Sequence, residues 1–297
     1  MGARGPLRIE RDDEHGRAMV LAGDREILSW RYGGEFAIPH WFPLKSPSGK
    51  DLVIQHPDPF PHHRAMWIAG KVQLGDGPVV DFYHCFSNQI DPKDPSKGYR
   101  HFIRQTAMPV CEVKAGKAVI VSKLQWLIGG APVLDDERTM VVTGHDGGET
   151  LLDLAWTLRA GHGPVTFHSD WVHYAWPYLR VHPQFSADKG GVLIDDVGRA
   201  GQEATNGKHA NWMDYSGTVG GVTEGVAVFL PQDGQWHKWL TRDYGCFGPR
   251  RRDELSGTKF ALAKDGEIGG RVRLFVHRGD AAAAGVAARY REFVEGR

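Results

Sequence analysis

The stretch Leu151-Leu152-Asp153-Leu154-Ala155-Trp156-Thr157-Leu158 constrains the fold more than any other part of the chain. Leu152, Leu154, Trp156 and Leu158 fall at every second position, with Asp153 and Thr157 between them. Alternate side chains of a strand point to opposite faces, so this period predicts an antiparallel strand with one face buried and one wet. Runs rich in β-branched and aromatic residues recur at 17–21, 27–32, 117–127, 138–143, 150–159, 165–168, 225–230 and 270–277, each bounded by Gly, Pro or Asp clusters. Residues 22–24, 46–49, 146–148 and 263–266 carry the turn chemistry of hairpin connections. One helix is expected, with Asp280 as N-cap and 281–294 behind it, its apolar stripe being Val286, Tyr290, Phe293 and Val294. The pattern predicts an all-β fold: a large two-sheet antiparallel β-sandwich of the supersandwich kind, closed by a C-terminal helix, as a single domain over residues 1–297.

Composition narrows the partners. Thirty-six Lys and Arg balance 36 Asp and Glu, so no net field favours nucleic acid or an anionic membrane. No window approaches the ~18 apolar residues of a membrane helix. Residues 1–13 carry Arg4, Arg8 and Arg11 without an apolar stretch, which argues against a secretory leader. Cys85, Cys111 and Cys246 are odd in number and widely spaced, fitting neither a disulfide framework nor a zinc knuckle. A soluble, cytoplasmic protein with reduced thiols and a small-molecule ligand is the expectation.

Fifteen histidines and ten tryptophans are the unusual feature, and they cluster. In His56-Pro57-Asp58-Pro59-Phe60-Pro61-His62-His63-Arg64-Ala65-Met66-Trp67, three prolines remove backbone donors and fix φ, so a stiff loop presents Asp58, His62, His63 and Arg64. Neighbouring histidines on a regular strand face opposite ways, so both serve one site only if the loop turns between them. A second segment, 168–182, holds His173 and puts Tyr178, Arg180 and His182 on one face if extended. A third, 206–217, contains Trp212, Asp214 and Tyr215; a fourth, 236–245, contains Trp239, Arg242 and Asp243. Imidazoles move protons near neutrality, arginines clamp carbonyl or carboxylate oxygens, and flat aromatic faces hold sugar rings. The bland reading of each segment is a loop or strand whose polar groups are satisfied structurally. Gly-rich phosphate loops, a nucleophile elbow, His-Glu-x-x-His and paired Cys-x-x-Cys are missing from the sequence.

The motifs His-Pro-x-x-x-Pro-His-His-Arg (56–64), Trp-x-Asp-Tyr-Ser-Gly (212–217), Trp-x-x-Arg-Asp-Tyr-Gly (239–245), Val-His-Arg-Gly-Asp (276–280) and Trp-Phe-Pro-Leu-x-x-Pro-x-Gly (41–49) resemble those of the PmoA-like family, catalogued as a methane oxygenase. The resemblance spans about residues 30–295 and implies an association with carbohydrates. Arg64 is followed by Ala65 and Met66 rather than Gly and Leu, and Val79-Val80-Asp81-Phe82 replaces an Asn-Gly turn, so the rim of a pocket would differ here.

Three functions follow as expectations. The first is an enzyme acting on a sugar or keto-sugar by elimination, hydration or epimerisation. His62, His63, His173, Asp214 and Asp243 are its candidate acid–base groups. Arg64, Trp67, Tyr178, Arg180, His182, Trp212, Tyr215, Trp239 and Arg242 are the candidate binding groups. A divalent metal held by histidines would be an alternative electrophile. The second is a sugar-binding or scaffolding module without catalysis. The third, implied by the family label, is a metal-dependent oxygenase. If one site exists, His62 or His63 should lie within about 10 Å of both Arg180 and Trp239, as a cleft of convergent polar groups requires.

Overall fold

The computed structural model describes residues 5–85, 101–169, 174–252 and 259–296. Two eight-stranded antiparallel sheets form its bulk. The first runs, edge to edge, through Leu7–Asp12, Arg17–Ala22, Arg25–Arg31, His40–Leu44, Met66–Trp67, Tyr178–Arg180, Cys246–Arg252 and His237–Thr241. The second runs through Val192–Asp195, Trp212–Val219, Val222–Phe229, Glu267–Arg278, Thr150–Arg159, Ala131–Gly144, Lys117–Ile128 and His101–Lys114. A third, four-stranded sheet orders Lys259–Leu262, Val165–His168, Lys71–Leu74 and Val80–Asp81. The all-β sandwich expected from the alternation is therefore present, with a small third sheet that the pattern did not announce.

Thr150–Arg159 behaves as its sequence dictates: Leu152, Leu154, Trp156 and Leu158 are buried while Ala155, Thr157 and Arg159 are exposed. The same alternation in Lys117–Ile128 buries Ala118, Ile120, Ser122, Leu124 and Trp126. These faces meet Val20, Leu28, Trp30, Trp41 and Trp67 of the first sheet in one continuous core. Two charges lie inside it. Arg138 and Asp136, two apart and so on one face, pair at 2.7 Å with both side chains essentially unexposed. Trp126 Nε1 donates to the same carboxylate and Arg138 Nη2 donates to the Ile68 carbonyl, which satisfies groups that would otherwise be costly to bury.

The C-terminal helix covers Val286–Val294, shorter than the 281–294 read from the sequence. Asp280 does cap, accepting from the Ala283 amide at 2.8 Å, but it caps an isolated turn. Gly285 then takes a left-handed conformation (φ 65°) and restarts the backbone as a helix. Val286 and Tyr290 seal a second apolar cluster on the outer face of the second sheet with Trp212, Phe229 and Phe275. Among the described residues, no helix is long and apolar enough to cross a membrane.

Candidate functional site

The proline-rich loop closes on itself. The His56 amide donates to the His63 carbonyl at 2.7 Å, His63 N donates to Phe60 O, and His56 Nδ1 meets the Pro61 carbonyl at 2.7 Å. His40, fully buried between the Ile38 carbonyl and Gln55 Oε1, supports the base of the loop. The chain turns at His62, so the two adjacent imidazoles come to one side, with centroids 4.6 Å apart and planes at 82°. This is the condition under which both can serve a single site.

Those rings line a cavity of about 180 Å³. His84 and Tyr83 complete its imidazole-rich side; Phe60, Tyr174 and Tyr244 supply aromatic walls, and Arg242 supplies a cation. His62 stands 4.6 Å from His84, centroid to centroid. His84 Nδ1 lies 2.7 Å from Asp81 Oδ2; an ionised carboxylate only accepts, so Nδ1 donates and the carboxylate orients the ring. Burial pushes the Asp81 carboxyl up, but the hydrogen bond and charge of His84, with Lys71 at 3.6 Å, outweigh it and hold the group below its ordinary range. His63 Nε2 meets the Tyr83 hydroxyl at 3.0 Å. Burial keeps that phenol protonated, far above its usual range, and drives His63 down to about 2, so the pair shares a hydrogen bond between neutral groups. His62 falls to about 4, through burial first and then the neighbouring His84 and Arg64 charges. At neutral pH, His62 is an uncharged imidazole.

Of the remaining candidate residues, some lie beside the cavity. Trp67 and Tyr178 stack at 4.8 Å behind the cavity wall, Trp67 lying 5.4 Å from His63. Arg64, fully buried, donates from Nη1 to the His62 carbonyl at 2.6 Å and so fixes the loop rather than facing the cavity. Arg180 lies 4.7 Å over the Tyr244 ring, and His63 stacks on the same ring at 6.3 Å, so both meet that tyrosine.

Others lie elsewhere. Leu240 and Arg242 line the cavity, and alternation along His237–Thr241 therefore turns Trp239 away. Its unexposed ring stacks on Phe247 and its Nε1 donates to the Ala210 carbonyl, which makes it a core residue rather than a binding platform. Tyr215 is a tether: its hydroxyl donates to the Asp243 carbonyl and accepts from the Ala187 amide. Asp243 accepts from the Gln202 amide at 2.8 Å, holding the short helix Gly201–Thr205. His182 accepts from the Gln184 amide and caps a 3-10 turn. Trp212 packs beneath the C-terminal helix, and Asp214 is buried against His277 at 2.6 Å in the second sheet, so neither reaches the cavity. His173 lies outside the described residues.

Tyr83, His84 and Asp81 were missed as a site. Their signal was the run Asp81-Phe82-Tyr83-His84, two aromatics and a histidine directly after a carboxylate. Among the described residues, no three His, Cys, Asp or Glu side chains are grouped so as to hold a metal ion.

A family model described as a family of unknown function (DUF6807) matches residues 17–291. No curated protein matches the sequence. Among solved structures, an α-galactosidase, AgaB, of Geobacillus stearothermophilus is similar at TM-score 0.45 and 9% identity, over 92% of this chain and 41% of that one. An α-galactosidase from Lactobacillus brevis gives TM-score 0.41 and 10% identity, over 94% and 39%. A polysaccharide lyase gives 0.35 and 9%, over 94% and 34%. The chain thus spans about two fifths of the length of the first of these. The family model corrects the resemblance to PmoA-like proteins: the family that matches is DUF6807.

Proposed function

This chain belongs to the DUF6807 family, which has no known function, and from the cavity itself we propose that it acts on a sugar or keto-sugar by acid–base chemistry. The observation that carries the proposal is the pair His62 and His84, side by side at 4.6 Å, one held neutral and the other oriented by a carboxylate. At about 180 Å³ the cavity is smaller than the ~300–1,000 Å³ of sites for larger ligands, which favours a single sugar ring. Phe60 and Tyr244, stacked on each other at 4.9 Å, line the cavity as an apolar wall beside it.

In this reading, His84 Nε2 takes the proton from the carbon beside a ring carbonyl. The C–H electron pair moves into the carbonyl, and the developing enolate oxygen is stabilised by Arg242. Collapse of the enolate expels a group from the next carbon, and the adjacent imidazole, His62, relays a proton from His84 to that leaving group. Because the two rings are neighbours rather than opposed, proton removal and return occur on one face of the sugar. That geometry favours elimination, or its reverse, hydration. Epimerisation needs acid and base on opposite faces and is disfavoured.

The test is incubation of the purified protein with keto-sugars, their glycosides and aldoses, following product and α-proton exchange in deuterated water. Turnover that falls by about 10²–10⁴-fold in His84→Gln supports the assignment. A sugar that binds but is never turned over, with affinity unchanged in His62→Gln and His84→Gln, makes the protein a binding module with its ligand elsewhere.

A further inference from the structure

Charge is unevenly distributed around the cavity of His62 and His84. Its described lining residues include Arg242 and no carboxylate. Arg242 Nη1 donates to two neutral oxygens, Asn206 Oδ1 at 3.1 Å and the Thr241 carbonyl at 2.8 Å, and neither cancels its charge. A second cation adjoins the cavity. Arg180 stands in register with Cys246, a lining residue, and opposite residues of neighbouring antiparallel strands share a face, so Arg180 lies on the cavity side of the first sheet. Its Cζ lies 4.7 Å over the ring of Tyr244, which also lines the cavity. We propose that the ligand of this cavity is an acidic sugar, whose carboxylate answers the unpaired charge of Arg180. The inference rests on the sugar reading above and narrows its substrate class.

Three features support it. First, Arg180 is 4% exposed, and its Nε and Nη1 are buried without a hydrogen-bond partner. A buried charge is ordinarily paired, because leaving water is costly and a counter-ion offsets that cost. The face of Tyr244 offsets only part of it. The surrounding carboxylates are engaged elsewhere: Asp188 accepts from the Ser186 hydroxyl, Asp243 from the Gln202 amide, and Asp81 pairs with His84 and Lys71. Second, the charges that reach the cavity are mainly cationic. His63 is pushed down by burial first, then by His62, Arg180, Arg64 and His84, all acting in the same direction. At His62 the opposing effect of Asp81 is smaller than that of His84 or of Arg64. Third, Gly245 fixes the guanidinium beside the turn that carries Arg242 and Tyr244. Its φ is 100°, and a Cβ there would fall 3.0 Å from Arg180 Nη1, so no other residue fits both the backbone and the space. Across a ring's thickness, about 8 Å, and at an effective dielectric of about 20, one unpaired charge favours an anion about thirty-fold. Direct contact is therefore not required for Arg180 to select the ligand.

The experiment is titration of the full chain with glucuronate, galacturonate, their methyl esters, glucose and glucose 6-phosphate, followed through the His62 and His84 ring resonances at low and raised salt. The expected result is that a uronate moves both resonances and binds at least about ten-fold tighter than its ester, which differs only in charge, with the ratio shrinking as salt rises. Arg180→Met keeps the length and removes the charge; it should bring that ratio close to one while leaving ester affinity unchanged. Arg180→Lys should retain most of the preference, because it keeps the charge. Replacing an unpaired buried charge by an apolar side chain does not by itself destabilise, so Arg180→Met should fold, and the wild-type ratio and its salt dependence decide the matter if it does not. Esters or glucose binding as tightly as the uronates would overturn this proposal and leave the sugar reading standing. Glucose 6-phosphate binding more tightly than either uronate would overturn the carboxylate assignment. If no sugar, charged or neutral, moves the two resonances, the sugar reading falls and this inference with it.

Discussion

The imidazoles of His62 and His84 stand 4.6 Å apart at the cavity, contributed by segments more than twenty residues apart in sequence. Placing two bases this close is unfavourable if both are charged, and burial settles the matter for His62 by keeping it neutral. The same burial shapes how stability depends on pH.

His40 and His63 are unexposed, and burial holds them at about 3 and about 2, against about 6.5 for a free imidazole. Below pH 6.5 the unfolded chain binds protons that these two rings, and the partly exposed His62, refuse in the native state, so stability must fall as pH falls. Each proton contributes about 1.4 kcal/mol per pH unit, so His40 and His63 alone give a slope approaching about 2.7 kcal/mol per unit between pH 6 and 5. His277 acts oppositely: burial lowers it, but Asp214 outweighs burial and holds it raised, so its contribution is full below pH 6.5 and is lost as pH rises through its native value. Denaturant titrations at half-unit pH steps check both; unchanged stability from pH 6 to 5 would contradict the assignment.

Asp136→Asn should destabilise strongly, by about 3–5 kcal/mol, because it leaves Arg138 charged in the core without its partner. The double change Asp136→Leu with Arg138→Met should cost much less, since no lone charge remains. Urea midpoints of the two variants decide this, and a milder Asp136→Asn would show that water reaches the pair.

Gly225 is predicted to tolerate nothing larger. It sits between Ser216 and His277 in register, and a Cβ there would be 2.7 Å from the Ser216 Cβ and the Tyr215 carbonyl and 2.9 Å from the His277 ring. The missing side chain lets His277 reach Asp214 two strands away. Gly225→Ala should therefore cost about 1–3 kcal/mol and pull the His277 titration down, readable by proton NMR of its ring. An alanine variant with wild-type stability and an unmoved His277 would refute this account.

Strands with clean alternation were legible. Thr150–Arg159 and Val165–His168 end where the composition says they should. Ala131–Gly144 was read only as 138–143, because the charges Asp135, Asp136 and Glu137 interrupt the apolar alternation, whereas Asp136 is paired with Arg138 in the core. Of the site, the stiff loop at 56–64 and Arg242 were legible because prolines and ionisable groups are interleaved there. Trp212, Asp214, Trp239 and Asp243 share that mixture for other reasons: a cluster under the helix, a buried ion pair, a core ring and a helix tether. Period-two reasoning separates Arg242 from Trp239, but only once the direction of the cavity is known. His84 was marked only by the short run after Asp81, because its meaning also comes from His62 across the fold.

The central claim is that the ligand of this cavity is a sugar touching His62 and His84. The most direct measurement is NMR of the histidine ring resonances during titration with keto-sugars and aldoses, in wild type and in Tyr244→Ala. The account predicts saturable shifts at His62 and His84 for at least one sugar, with small changes at His277, which is buried against Asp214 in the second sheet. It also predicts affinity reduced by about 1–3 kcal/mol when the Tyr244 ring is removed, the loss typical of an apolar contact at the centre of a site. Saturable sugar binding that leaves the His62 and His84 resonances unmoved would contradict it.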